Sequence, residues 1–298
     1  MSEDLYQIYH GDCISSLKEL QANYTSKITL TFLDPPFNQD KDYPSHDDNL
    51  PKVTYWKWME SICKLIFDLT KDGGSIYFMQ REKNTFHVWR ALEKAGWVIQ
   101  NLIIWKKMTS AVPQPYRFSK HYQIILFAIK GNRTSVFNRM RIDLPLYPHQ
   151  KKPRKNGVYV TDVWDDIKEL TSGYFAGDEA LRNEDGQRIH KQQAPIALLT
   201  RILLSSSNVG DFVLDPFAGT GTTAVVAKQL KRKCIVIEMA KEYYNIIKER
   251  ISKTRAADRI DALRHYYRYT ENLDSIWPSI EENEKPYSIE NFLQSNGD

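Results

Sequence analysis

The sequence predicts an α/β protein built on one doubly wound, mostly parallel sheet with a small irregular insert. Three observations carry this. Short apolar runs alternate with helical periodicity, before and after an interruption near the middle of the chain. Two of the apolar runs end directly in polar, turn-forming strings, Asp34-Pro35-Pro36-Phe37 and Asp215-Pro216-Phe217-Ala218-Gly219-Thr220-Gly221. In open α/β sheets ligands sit at such strand ends. Finally, 298 residues with 42% hydrophobic and 26% charged side chains suit a large globular domain that buries most of its surface.

Residues 6–10 form the first predicted strand, and Asp12 is placed to cap a helix that carries Ile14, Leu17 and Leu20 on one face. The apolar run 28–33 follows as a buried strand. Residues 38–51 are polar, without periodicity, and long enough to act as a lid. Tyr55, Trp58, Met59, Ile62, Leu65, Ile66 and Leu69 then fall at helical spacing, and Asp72-Gly73-Gly74 is expected to stop that helix before a strand over 75–79. Trp89, Leu92 and Gly96 mark a further helix and its end. Strands are predicted over 97–105 and 122–129. Pro195 is expected in the first turn of a helix containing Ile196, Leu199, Ile202 and Leu203. A strand (212–214), the glycine loop, a helix (222–230), a strand (234–237) and a helix (241–252) complete the alternation.

This pattern divides the chain into a first core half (1–132), an insert (133–189), a second core half (190–255) and a C-terminal extension (256–298). The insert has few apolar runs, and the aromatic-rich extension is expected to pack outside the core. Net charge is only +4, but between positions 130 and 157 Lys130, Arg133, Arg139, Arg141, Lys151, Lys152, Arg154 and Lys155 face a single acid, Asp143. Such a run is either a solvated face or a nucleic-acid contact surface. Lys106, Lys107, Arg117 and Lys120, in the irregular segment between two strands, are candidates for phosphate contacts because they flank the predicted ligand pocket. Trp56, Trp58 and Trp89 are expected in the core.

The composition also excludes several classes. No stretch approaches the roughly 20 apolar residues of a membrane span, and the acidic N-terminus lacks a signal-peptide core. The three cysteines, Cys13, Cys63 and Cys234, suggest neither a disulfide framework nor a zinc cluster. The histidines show no ligand spacing, so no metal is expected. A reduced cytoplasmic setting follows.

Two motifs carry chemistry. The string Asp215, Phe217, Ala218, Gly219, Thr220, Gly221, Thr222 leaves a strand and enters a helix, where close backbone approach and free N–H groups favour a ligand. Glu238, at the end of the next strand, is placed to accept both hydroxyls of a ribose. The loop lacks the GK[ST] ending of a phosphate loop, which argues against an NTPase. A dinucleotide and S-adenosylmethionine both fit. The second motif separates them. Asp34-Pro35-Pro36-Phe37 can be a proline turn with a capping carboxylate, or a rigid pocket that accepts hydrogen bonds from an amino group beneath an aromatic ring. Hydride transfer has no use for that pocket; methyl transfer to an amine does.

Together the motifs resemble those of the amino-methyltransferases that act on DNA bases, in the permuted subclass where the catalytic motif precedes the cofactor loop. The resemblance spans residues 6–250. It implies a seven-stranded sheet of the S-adenosylmethionine-dependent type, with Asp34, Pro35, Pro36 and Phe37 as the catalytic D-P-P-Y/F. The F-x-G-x-G-T-T cofactor loop is matched at 217–223, and Gly11, Asp12 and Cys13 match the segment that holds the cofactor's adenine. Residues 117–127 resemble a strand near the target base, and 162–167 the end of the target-recognition region. The family's H-P-x-Q-K-P reads His190-Lys191-Gln192-Gln193-Ala194-Pro195 here. Gln193 keeps its cofactor-facing place, but Ala194 replaces the lysine, which leaves contacts to the cofactor's methionine end open; Lys191 is out of register. The strands at 6–10 and 234–237 should be neighbours, bringing Asp12 and Glu238 around one cofactor.

The expected activity is methyl transfer from S-adenosyl-L-methionine to the N6 of a flipped-out adenine in double-stranded DNA. N4-cytosine methylation is the nearest alternative; its enzymes more often begin the tetrapeptide with Ser. Methylation of RNA or protein would more typically use Asn there, and a DNA-binding protein without catalysis would not need both motifs. A cognate restriction endonuclease and a homodimer are both compatible with the sequence, and a membrane is not.

Overall fold

In the computed structural model, residues 5–39, 42–43, 46–107, 113–143, 155–170, 177–190 and 192–278 are described. The strands are β1 (Tyr6–His10), β2 (Ile28–Leu33), β3 (Asp42–Tyr43), β4 (His46–Asp47), β5 (Thr70–Arg81), β6 (Trp97–Lys106), β7 (Tyr122–Lys130), β8 (Arg141–Ile142), β9 (Val158–Tyr159), β10 (Val163–Trp164), β11 (Phe212–Asp215) and β12 (Lys233–Glu238). The helices are α1 (Cys13–Tyr24), α2 (Lys52–Leu69), α3 (Thr85–Ala95), α4 (Ile196–Ser206), α5 (Thr222–Gln229), α6 (Lys241–Ser252), α7 (Asp261–Tyr266) and α8 (Leu273–Ile276).

The main sheet has the order β1-β12-β11-β2-β5-β7-β6-β10. Only β7 runs antiparallel to its neighbours, β5 and β6. Every residue of β2 is buried, as expected for a central strand covered on both faces. The pleat sorts neighbouring residues into two cores. Tyr77, Phe127, Val213 and Val236 face a layer containing Leu199, Ile202, Val226 and Ile247 from α4, α5 and α6. Ile76, Leu126, Leu214 and Ile235 face Leu17, Ile62, Ile66 and Leu92 from α1, α2 and α3. Each such side chain contributes about 1.5–3 kcal/mol when fully buried.

As expected, β1 lies beside β12, with His10 opposite Glu238 in register. The two ends of the chain's core therefore meet at one edge of the sheet. Gly96 ends α3 at φ 99°, a left-handed C-cap.

Four expectations need correction. An eighth strand, β10, joins the expected seven; it belongs to the 133–189 segment and pairs parallel with β6. Asp72-Gly73-Gly74 does not separate α2 from the next strand. Helix α2 already ends at Leu69, and the glycines form an irregularity inside β5, where pairing with β2 jumps from Ile28–Thr70 to Leu30–Ser75. Pro195 is the N-cap of α4 rather than its first residue, and the Ile196 N–H is instead satisfied by the Glu179 carboxylate at 2.7 Å. The extension after residue 255 is not merely laid on the outside. Ile260, Tyr267 and Trp277 are buried members of the core, and the guanidinium of Arg232 donates to the Ile276 carbonyl.

Candidate active site

The C-terminal edges of the parallel strands enclose a cavity of about 540 Å³. Its two ends are built by the two motifs.

At one end, the loop after β11 is strapped to β12. Ala218 N–H donates to the Ile237 carbonyl (3.0 Å), and Gly219 N–H to the Glu238 carboxylate (2.8 Å). The other Glu238 oxygen accepts from Ala240 N–H at 2.7 Å. Each oxygen keeps a further lone pair for a ligand hydroxyl. Burial raises the Glu238 carboxyl to about 7. Asp12 caps α1 by accepting from Ser15 N–H at 2.8 Å and lines the same end of the cavity with Cys13, whose thiol burial pushes well up.

Asp215 works within the loop. It is buried and accepts from Phe217 N–H (3.0 Å) and the Thr223 hydroxyl (2.5 Å), which fixes the loop against α5. Its desolvation lifts the carboxyl to about 6. Beneath the loop, Arg250 donates to the Thr220 carbonyl at 2.7 Å and forms a two-bond ion pair with buried Asp258. Gly221 is the one loop residue expected at the cofactor that does not reach the cavity wall. It sits at φ 84° as the N-cap of α5, and a Cβ there would meet Ile247 at 2.8 Å. Its role is helix entry and packing on α6. Gln193 lines the wall, but its amide is engaged by Leu181 N–H (3.2 Å) and the Glu179 carbonyl (3.1 Å). Ala194 also lines the wall, while Lys191 lies outside the described residues.

At the other end, Asp34, Pro35, Pro36 and Phe37 leave central strand β2 and line the cavity. The turn is braced from behind. Tyr55 on α2 donates to the Pro36 carbonyl at 2.7 Å, and Gln80 on β5 donates to the Tyr55 oxygen at 3.0 Å. The base of the polar loop is a clasp rather than a free hinge: Asp48 accepts from Asn38 N–H (2.6 Å) and Gln39 N–H (2.9 Å), and Asn38 exchanges two bonds of 2.8 Å with Leu50. Within the loop, β3 and β4 pair as a short hairpin.

Several wall residues were not anticipated. Trp58 lines the cavity and meets Phe217 edge-to-face, centroids 5.6 Å apart, so it is not simply core; Trp56 is buried and Trp89 is exposed. Met79, Gln123, Glu169, His190 and Tyr243 also contribute. Lys107 does not project to the surface as a phosphate contact. It lines the cavity, with its ammonium 3.2 Å from the Trp105 ring centroid, and burial lowers it to about 8. The sequence held a signal for this, since strand alternation places residues 105 and 107 on the same side.

Of the other basic candidates, Lys106, Arg117 and Lys155 are exposed, and Lys120 pairs with Glu82. Lys151, Lys152 and Arg154 lie outside the described residues. Arg139 and Arg141 flank the Tyr159 ring at 4.5 and 4.1 Å, and Lys130 donates to the Phe67 and Thr70 carbonyls, so part of the basic run is structural. Asp166, in the stretch expected to close the recognition region, forms a buried ion pair with Arg201 and accepts from Tyr266. Among the described residues, no cluster of His, Cys, Asp or Glu could hold a metal, and no helix is long and apolar enough to cross a membrane.

A doubly wound sheet whose strand ends hold a glycine loop, an acidic clamp and an Asp-Pro-Pro-Phe turn around one cavity is a methyltransferase-type α/β architecture. The model of the DNA methylase family matches residues 28–249, and the chain belongs to that N6-adenine/N4-cytosine DNA methyltransferase family. It is 31% identical over 253 residues to the type II methyltransferase M.HpaI of Haemophilus parainfluenzae, covering 84% of this chain and 76% of that protein. Similarity to M.BamHI of Bacillus amyloliquefaciens is 30% over 268 residues, 83% of this chain but only 57% of that protein. Among solved structures, the M1.HpyAVI–SAM complex matches with a TM-score of 0.55 at 24% identity, covering 83% of this chain and all (100%) of that one. The cytosine-N4-specific PvuII DNA methyltransferase matches with a TM-score of 0.57 at 20% identity, over 99% and 95% of the two chains. These structures share the fold.

Proposed function

We propose that this DNA methyltransferase transfers a methyl group from S-adenosyl-L-methionine to the exocyclic N6 of an adenine flipped out of double-stranded DNA. The observation that carries the reading is that Asp34 and Glu238 line one cavity, of a size to hold a nucleoside cofactor and a base. The cavity's chemistry fits the cofactor. Glu238 keeps acceptor capacity for ribose hydroxyls, Asp12 and Cys13 line the same cavity, and Gly219, Thr220 and Thr222 supply the approach over the α5 N-terminus.

Bound S-adenosylmethionine supplies a methyl group on an electron-poor sulfonium. The chain's own residues prepare the amine. Its lone pair is delocalised into the base, so it is a weak nucleophile. Hydrogen bonds from the NH₂ to the Asp34 carboxylate and the Pro35 carbonyl favour a tetrahedral nitrogen whose lone pair points away from the ring. Phe37 gives the base a stacking surface, and the rigid prolines fix the geometry, so orientation supplies much of the rate. A base in a duplex cannot reach this turn, and flipping costs a few kcal/mol of unstacking. Exposed Lys106, Arg117 and Lys155 are suited to phosphate contacts that offset that cost.

The unit at 133–189 is proposed as the target-recognition region between two core halves, 1–132 and 190–255, followed by the 256–298 extension. A cytoplasmic setting and a partner restriction endonuclease belong to the same proposal. The experiment is incubation with cofactor and mixed-sequence DNA, then nucleoside mass spectrometry. N6-methyladenine is expected. N4-methylcytosine would replace the adenine reading, and no methylated nucleoside would overturn it.

A further inference from the structure

We propose that Lys107 recognises the ring of the flipped-out base, donating a hydrogen bond to a ring nitrogen across the cavity from Asp34. This rests on the adenine reading above.

Placement is the first argument. Strand β6 is separated from β2 by β5 and β7, three inter-strand steps or roughly 14 Å. Glu238 lies on the other side of β2, on β12. Lys107 therefore belongs to the base end of the cavity and not to the cofactor end. Its neighbour Lys106 is exposed, as alternation requires, so the two lysines have different tasks.

Chemistry is the second. Once Asp34 and Pro35 accept both N–H bonds of the amine, the remaining polar atoms of adenine's ring are acceptors and require a donor. The described wall carries the carboxylates of Asp12, Asp34, Glu169, Asp215 and Glu238 but one lysine and no arginine. Trp105 is not available, because its indole N–H donates to the Ile167 carbonyl at 2.8 Å. Its ring instead carries the Lys107 ammonium at 3.2 Å, which fixes the donor's position. The charge is balanced by Glu169 and Asp34, both electrostatically coupled to it. Burial that eases loss of the proton also limits repulsion of a cationic cofactor in the same cavity.

The test uses the full chain and a duplex carrying its methylated site, mapped on plasmid DNA. Wild type and Lys107→Met are compared in single turnover on adenine and on its 1-deaza, 3-deaza and 7-deaza analogues, with cofactor affinity measured by calorimetry. Lys107→Gln replaces the Met variant if that one does not fold. The expected result is unchanged cofactor affinity and a roughly ten- to hundredfold slower transfer to adenine. For one analogue, the ratio of wild-type to variant rate should collapse to near one, because the acceptor is already gone. Taking ratios cancels the altered nucleophilicity of the amine. The same ratio on all substrates would overturn the role of Lys107. If mapping finds methylated cytosine, the adenine reading is what fails, and the cycle is run with 3-deazacytosine, where an unchanged ratio again overturns the role.

Discussion

The Tyr55 phenol donates to the Pro36 carbonyl at 2.7 Å, tying helix α2 to the back of the Asp-Pro-Pro-Phe turn. Tyr55 is 1% exposed, and its oxygen accepts from the Gln80 amide on β5 at 3.0 Å. Tyr55→Phe removes the hydroxyl and leaves a buried amide and a carbonyl without that partner. We expect a stability loss of about 1–3 kcal/mol in denaturant unfolding. The turn also loses its brace, so kcat should fall while cofactor affinity stays near wild type. Equal losses in both would mean that Tyr55 supports the fold without positioning the turn.

Asp34→Ala removes the proposed acceptor for the target amine but leaves Pro35, Pro36 and the brace in place. Cofactor binding by calorimetry should persist. Methyl transfer should drop by at least about a hundredfold, the scale of an interaction made chiefly in the transition state. Full transfer with cofactor bound would remove Asp34 from the mechanism.

The C-terminal extension gives a prediction about stability alone. Trp277 is 1% exposed and packs in the layer that holds α4 and α5. Arg232, also 1% exposed, donates to the carbonyls of Ser207, Leu230 and Ile276 and so knots the extension to the sheet. Trp277→Ala should cost about 3–5 kcal/mol, read as a lower denaturant midpoint with cofactor affinity per folded molecule unchanged. A shift below about 0.5 kcal/mol would return the extension to the surface.

Much of this architecture is legible in the sequence. The doubly wound, mostly parallel sheet follows from apolar runs that alternate with helical periodicity, and the adjacency of β1 and β12, which brings Asp12 near Glu238, follows from the motif resemblance. What the sequence hid was tertiary. Asp72-Gly73-Gly74 has turn composition, yet the strand continues because β2 absorbs the irregularity at Ile28 and Leu30. Lys107 read as one of several cations in a basic segment, since the partner that turns it inward, Trp105, looked like an ordinary strand residue. Arg250 and Asp258 brace Thr220 from a helix end and a 3₁₀ turn, a pairing that no local pattern marks. The segment after residue 255 lacked periodicity because its helices, Asp261–Tyr266 and Leu273–Ile276, are too short to show any.

Glu238, proposed to hold the ribose hydroxyls, should make cofactor binding depend on pH. Its folded carboxyl lies at about 7 against an ordinary 4.5, raised by burial, with Asp215 adding repulsion. Because the folded state holds the extra proton, stability should fall as pH rises from about 4.5 to about 7, the region where the folded chain binds more protons than the unfolded one. A ribose hydroxyl donates to the ionised form, so affinity should run the other way. Between pH 6 and pH 8 the cofactor should bind about tenfold more tightly, as the ionised fraction grows. Calorimetry in buffers of different ionisation enthalpy would also register proton release on binding at pH 6. Glu238→Gln keeps an acceptor oxygen without titrating, so its affinity should be weaker and flat over the same range. An affinity that declines towards pH 8 in the wild type would remove the carboxylate from the ribose.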